Sequence, residues 1–119
     1  QPVQAFVDMV SRSDGLIFSS PEYVRAIPGG LKNAIDWLVS REEIVGKPIA
    51  LMHASHRGND MLAQLRLVLS TVSDRFTPQP FLAFSLVKLS PDEISQEMMT
   101  PENRTKVTGF LKDFARHCM

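Results

Sequence analysis

Cysteine is scarce in this sequence, and neither sign of charge is in excess. Cys118 is the single cysteine among 119 residues, which excludes an internal disulfide framework and a cysteine-based metal site. The 13 Lys and Arg residues balance the 13 Asp and Glu residues, whereas a nucleic-acid-binding domain usually carries a basic excess. The composition therefore predicts a protein without disulfides and without a nucleic-acid partner.

Long apolar runs and a leader pattern are missing as well. No run approaches the roughly 18 consecutive apolar residues of a membrane span, and no signal-peptide pattern opens the chain. The expectation is a cytoplasmic protein with no membrane partner. Apolar residues make up 44% of the chain, an ordinary fraction for a domain with a real core. The length predicts a single domain.

Four segments place apolar residues at helical spacing. We expect these helices at residues 2–12, about 30–38, about 61–73, and around 107–115. Residues 88–101 are polar and are predicted to be irregular, with one helical turn at 92–97. The chain starts at Gln1 rather than methionine, and a helix is its first predicted element.

Three short apolar runs between these helices are predicted strands. They are residues 16–18, 49–52 and 81–84, and a turn is expected at 77–80. Strands that alternate with helices form right-handed βαβ crossovers. Short wholly apolar strands are typical of a parallel sheet covered on both faces. The sequence therefore predicts a three-layer α/β fold with about three parallel strands and four helices.

Polar loops follow the first two strands, at residues 19–29 and 54–60. Ligands of parallel α/β sheets bind outside the carboxyl ends of the strands, so function is expected in these loops. The first loop is rich in proline, and it can offer main-chain groups and the ring of Tyr23 to a flat heterocycle. Composition alone favours the plainer alternative, a surface loop with one exposed tyrosine.

The first loop and the following helix carry a longer motif. Residues 21–37 read PEYVRAIPGGLKNAIDW, which resembles the signature of the NAD(P)H-dependent FMN reductase family. These are flavodoxin-like enzymes that include quinone, chromate and azo-dye reductases. Gly46-Lys47-Pro48 and Gln64-Leu65-Arg66 match the family's order more weakly, and the resemblance covers most of residues 3–87.

The resemblance implies a flavin site with two sides. The first loop would border the isoalloxazine ring of FMN, largely through main-chain groups, with Pro21, Glu22, Tyr23 and Val24. The second loop would approach the pyrimidine side of the ring, with Ser55, His56, Arg57 and Gly58. NAD(P)H would reduce the flavin, which would then reduce a small acceptor such as a quinone. The cofactor performs this chemistry, so no catalytic side chain is expected.

Other residues near these loops have two interpretations each. Arg57 either stabilises negative charge on the reduced flavin or is a solvated loop arginine. Arg25 either meets the phosphates of the nicotinamide cofactor or is a plain surface charge. Trp37 lies where the family builds its subunit interface, so we expect it to pack there.

The chain also departs from the family pattern. Many relatives have asparagine where this chain has Val24, which suggests a lost polar contact to the flavin. The second loop is shorter than in many relatives. The segment that binds the FMN phosphate, which normally follows the family's first strand, is not found.

These departures lead to an expectation for the whole chain. Residues 1–119 are expected to form one flavodoxin-like domain that is incomplete at its N-terminus and lacks two strands and a helix. The strand at 16–18 would then have an open apolar edge, which is a hazard for a soluble chain. We expect another chain or another strand to cover this edge. A homodimer or homotetramer is the expected assembly.

Other functions fit the residues less well. Ser55, His56 and Asp60 suggest a hydrolase, but adjacent residues do not face each other and no G-x-S-x-G elbow is found. His53 and His56 lack a third metal ligand at suitable spacing, so no metal site is predicted. A non-catalytic flavodoxin-like module that has lost FMN remains an alternative, as does, more weakly, a flavodoxin-type electron carrier.

Overall fold

The computed structural model describes residues 2–39, 41–54, 58–86 and 88–119. Three strands and five helices lie in this part of the chain. In chain order they are α1 (Pro2–Arg12), β1 (Leu16–Phe18), α2 (Gly29–Val39), β2 (Ile49–His53), α3 (Asn59–Val72), β3 (Phe76–Ala83), α4 (Pro91–Met98) and α5 (Pro101–Cys118).

The strands form one parallel sheet in the order β1-β2-β3. Ile17 lies opposite Ala50, and Phe18 lies opposite Leu51. The central strand β2 is covered on both faces, because the side chains of a strand alternate between faces and four of its five residues are buried. The prediction of a parallel α/β sheet is confirmed.

Two apolar clusters lie on opposite faces of the sheet. Ile49 and Leu51 of β2 belong to the larger cluster, which the buried faces of α1, α2 and α3 complete. Ala50 of β2 belongs to the smaller cluster, with Phe110 and Phe114 of α5. The alternation along β2 thus separates two helical layers, and the predicted three-layer arrangement is confirmed.

The predicted turn at residues 77–80 is wrong. These residues lie inside β3, which starts five residues earlier than predicted. Their pairing is irregular: Ile49 lies opposite Phe76, whereas Leu51, two residues on, lies opposite Phe81. Proline is tolerated in edge strands and at bulges, where no ladder hydrogen bond is needed from its nitrogen. The two prolines of this segment therefore mark a bulge in the edge strand and not a turn.

The structure has five helices where about four were predicted, because the helical turn predicted at residues 92–97 is the longer helix α4. Ser90 caps this helix, and its hydroxyl accepts a hydrogen bond from the Glu93 N–H. The Glu93 carboxylate accepts one from the Ser90 N–H in return, and Pro91 occupies the first turn. This capping box starts a helix in which no residue is buried.

Strand β1 has one hydrogen-bonded neighbour in the described chain, β2. Its outer edge is unpaired there, and 40% of Ile17 is exposed. An apolar cleft of about 220 Å³ lies beside it, lined by residues of α1, β1 and α2. That a further strand or chain covers this edge stays a prediction.

No described helix is both long enough and apolar enough to cross a bilayer.

Candidate functional site

The loops after β1 and β2 leave the same edge of the sheet, because the two strands are adjacent and parallel. Phe18 ends β1 and His53 ends β2. This carboxyl edge is where ligands of parallel sheets bind. The structure thus brings the first loop beside the described ends of the second, Ala54 and Gly58. The predicted site residues Ser55, His56 and Arg57 lie outside the described residues. The predicted role of Arg57 at the reduced flavin therefore stays a prediction.

The first loop contains a tight hairpin turn. Tyr23 and Ala26 exchange both backbone hydrogen bonds, at N···O distances of 3.1 and 3.0 Å. The two residues between them have positive φ angles, 51° at Val24 and 58° at Arg25. Positive φ at both central positions is the requirement of a type I′ turn, which favours Asn-Gly. A valine there is strained, because its branched Cβ crowds the backbone in the left-handed region.

Three side-chain contacts join this loop to the start of α3. Arg25 Nε lies 2.6 Å from Asp60 Oδ2, Gln64 Oε1 accepts from the Ile27 N–H at 3.2 Å, and Glu22 Oε1 accepts from the Met61 N–H at 2.9 Å.

The Arg25–Asp60 pair lies at the surface, with 82% and 50% of the two side chains exposed. The hydrogen bond to Asp60, together with its negative charge, raises the pKa of Arg25. An ion pair this exposed contributes little to stability. Arg25 is therefore a paired surface charge, and a nicotinamide phosphate would have to compete with Asp60 for it.

Gly58 connects the second loop to α3. It is the N-cap of the helix, with a φ of 114° and no side chain to cap the first turn. A Cβ at this position would lie 2.7 Å from Nε2 of His53. The ring of His53 is buried, with 4% of the residue exposed. Only glycine allows this close approach together with this backbone angle, so the start of α3 is fixed against the end of β2.

The predicted residues of the first loop are placed differently from one another. Pro21 is exposed, Glu22 is half-buried, and 61% of Tyr23 and 97% of Val24 are exposed. Sequence reasoning assigned main-chain contacts to Glu22 and missed the use of its carboxylate at α3. The sequence held one indirect indication of this contact. Gly58 precedes α3 and has no side chain to cap the helix, so an acceptor from elsewhere in the chain was needed.

Trp37 of α2 is 51% exposed, so it is not buried within one chain and its packing in a subunit interface stays a prediction.

Among the described residues, no three His, Cys, Asp or Glu side chains could together hold a metal ion.

Comparisons with known proteins identify related sequences. A family model described as NADPH-dependent FMN reductase matches residues 1–87. A protein named quinone reductase from Escherichia coli K12 is 40% identical over 117 residues, covering 94% of this chain and 62% of the relative. An NAD(P)H-dependent FMN reductase from Schizosaccharomyces pombe is 32% identical over 111 residues, covering 92% of this chain and 52% of the relative.

A solved structure shows the same fold. The flavoenzyme NAD(P)H:(acceptor) oxidoreductase FerB from Paracoccus denitrificans superposes with a TM-score of 0.67 at 21% sequence identity. The match covers 98% of this chain and 65% of that chain. The chain thus spans less than two thirds of the length of these relatives.

Proposed function

This chain belongs to the NADPH-dependent FMN reductase family, and we propose that the whole protein uses NAD(P)H to reduce a small acceptor through bound FMN. The observation that carries this proposal is the family match, which includes both loops at the carboxyl edge of the sheet. The relatives named quinone reductase favour a quinone as the acceptor.

We place the flavin ring between the two loops at this edge. The main chain of residues 19–22 lies in neither helix nor strand, so its peptide groups can face a flat heterocycle. The ring of Tyr23 is exposed beside them. These exposed groups support placing the flavin ring here. In the described part of the two loops, Arg25 is the one cation that could meet the phosphates of the nicotinamide cofactor, and Asp60 already pairs with it.

In this proposal each residue of the chain binds or orients and none transfers a proton. Pro21, Glu22, Tyr23 and Val24 would border one side of the ring, and Gly58 would border the other side together with Ser55, His56 and Arg57. FMN, when bound, supplies the hydride and electron transfer itself. The proposed assembly is a homodimer or homotetramer, and the cytoplasmic location expected from the sequence stays a prediction.

Flavin titration of the purified chain tests this function. We expect a yellow protein whose FMN absorbance bleaches when NAD(P)H is added and returns when a quinone is added. Colourless protein that takes up no added FMN would contradict flavin binding by this chain. That result would favour the alternative of a flavodoxin-like module without FMN.

Two variants test the position of the ring. Tyr23→Ala is expected to raise the Kd for FMN about fivefold, because an aromatic contact contributes about 1 kcal/mol. Met99→Ala is the matched control, since Met99 is exposed to a similar degree at the C-cap of α4. Equal affinities in the two variants would place the ring elsewhere.

A further inference from the structure

A backbone N–H in the first turn of α3 donates a hydrogen bond to a side chain from a distant part of the sequence. The Leu62 N–H makes the first bond within the helix, to the carbonyl of Gly58 at 2.7 Å. The Met61 N–H comes before it, so no earlier helical carbonyl can accept from it. Glu22 supplies that acceptor, 39 residues earlier in the sequence.

The chemistry of this contact favours a carboxylate. A helix N-terminus carries a partial positive charge, and a hydrogen bond to an ionised acceptor is about twice as strong as a neutral one. Glu22 is half-buried, so water screens the contact less than it screens the exposed Arg25–Asp60 pair. Of the two charged contacts between the loop and α3, we expect Glu22 to contribute more.

The start of α3, where Glu22 binds the Met61 amide, is itself held in place by packing. Met61 is fully buried, and Gly58 is held against the ring of His53 at the end of β2. The Glu22 carboxylate therefore fixes the loop after β1 to the beginning of α3 and, through Gly58, to the end of β2. These are the two sides of the proposed flavin site.

We propose that Glu22 is a positioning residue whose carboxylate holds the loop after β1 at a fixed separation from Gly58, so that the flavin ring fits between them. The inference rests on the proposed function. Its structural half, the contact between Glu22 and the Met61 amide, can be measured without any ligand.

Three variants and three measurements test the proposal. Glu22→Ala removes the acceptor, Glu22→Gln keeps an acceptor without the charge, and Glu42→Ala removes an exposed glutamate from the turn between α2 and β2. Hydrogen exchange of the Met61 amide is measured without ligand. FMN affinity and the visible circular dichroism of bound FMN at saturation are measured in the same proteins.

Glu22→Ala is expected to speed exchange of the Met61 amide and to raise the Kd for FMN, each by about tenfold. It is also expected to change the flavin dichroism. Glu22→Gln should restore part of the affinity and the wild-type dichroism, and Glu42→Ala should match the wild type throughout.

Two results would overturn the proposal. Unchanged Met61 exchange in Glu22→Ala would show that the carboxylate does not hold the loop. Faster Met61 exchange with unchanged FMN affinity and dichroism would show that the Glu22 contact exists but does not position the loop for the flavin ring. If the wild type binds no FMN, the proposed function fails for this chain. Slow Met61 exchange that Glu22→Ala accelerates would still support the contact, and unchanged exchange would overturn it.

Discussion

At the scale of single residues, Val24 has a strained backbone conformation. It has a φ of 51° and is 97% exposed, so no packing offsets its strain. The resemblance to the family implied that asparagine at this position contacts the flavin. The type I′ geometry gives another reason for asparagine, which visits positive φ more easily than other residues with a side chain.

We therefore predict that Val24→Asn stabilises the protein. The free energy of unfolding should rise by about 1 kcal/mol, because a left-handed conformation costs an ordinary residue about 1–2 kcal/mol. Chemical denaturation measures this change. Val45→Asn is the control, since Val45 is also an exposed valine in a turn but is not among the residues with positive φ. An equal rise in the free energy of unfolding in both variants would show that the positive φ of Val24 is not the cause.

At the scale of elements, α4 depends on its first turn. Its described residues include none that is buried, so packing contributes little and the capping box matters more. The hydrogen bond from the Ser90 backbone N–H lowers the pKa of Glu93 below its ordinary value of 4.5. A lowered folded-state pKa adds stability above the unfolded-state value, and this stability is lost as the pH falls through the folded-state value.

The prediction is an acid-dependent loosening of α4. Amide protection within the helix should fall when the pH drops below 4.5, and Glu93→Gln should remove this step. Hydrogen exchange across a pH series measures it. Asp92→Asn is the control, because it removes a neighbouring carboxylate and leaves the capping box in place. A step of the same size in Glu93→Gln would assign the acid response to another group.

At the scale of the whole molecule, the chain exposes more surface than its size predicts. Its accessible area is 7638 Å², whereas a monomeric protein of this mass exposes about 6,450 Å². Its radius of gyration is 15.1 Å, whereas a compact domain of this length has about 13.5 Å. The area excess of about 1,200 Å² on one chain exceeds the roughly 800 Å² that each partner of a standard-size protein interface buries. The outer edge of β1, which has no strand partner among the described residues, and the apolar cleft beside it belong to this surface.

We predict that the isolated chain self-associates through β1. Sedimentation velocity should show an oligomer for the wild type and a monomer for Ile17→Lys, because a lysine on an edge strand opposes pairing with another strand. Val45→Lys is the control, since it places the same charge on a side chain of similar exposure away from β1. A wild type that stays monomeric at all concentrations would contradict this prediction. It would also leave the proposed homo-oligomer without this interface.

The sequence by itself determined the features that depend on neighbours along the chain. The helical spacing of α1 and the apolar run of β2 each follow from local periodicity, and their alternation permits few arrangements other than a parallel three-layer sheet. The continuous motif from Pro21 to Trp37 indicated the family for the same reason, because all its residues are adjacent in sequence.

Only the tertiary structure decided the features that join distant residues or depend on backbone angles. The bulge of β3 depends on its pairing with β2, and the contact of Glu22 with the Met61 amide spans 39 residues. The positive φ of Val24 has no signal in the identity of a valine, which normally avoids it. A pattern of residue types shows which faces are apolar, but the chain must fold before a particular carboxylate meets a particular amide.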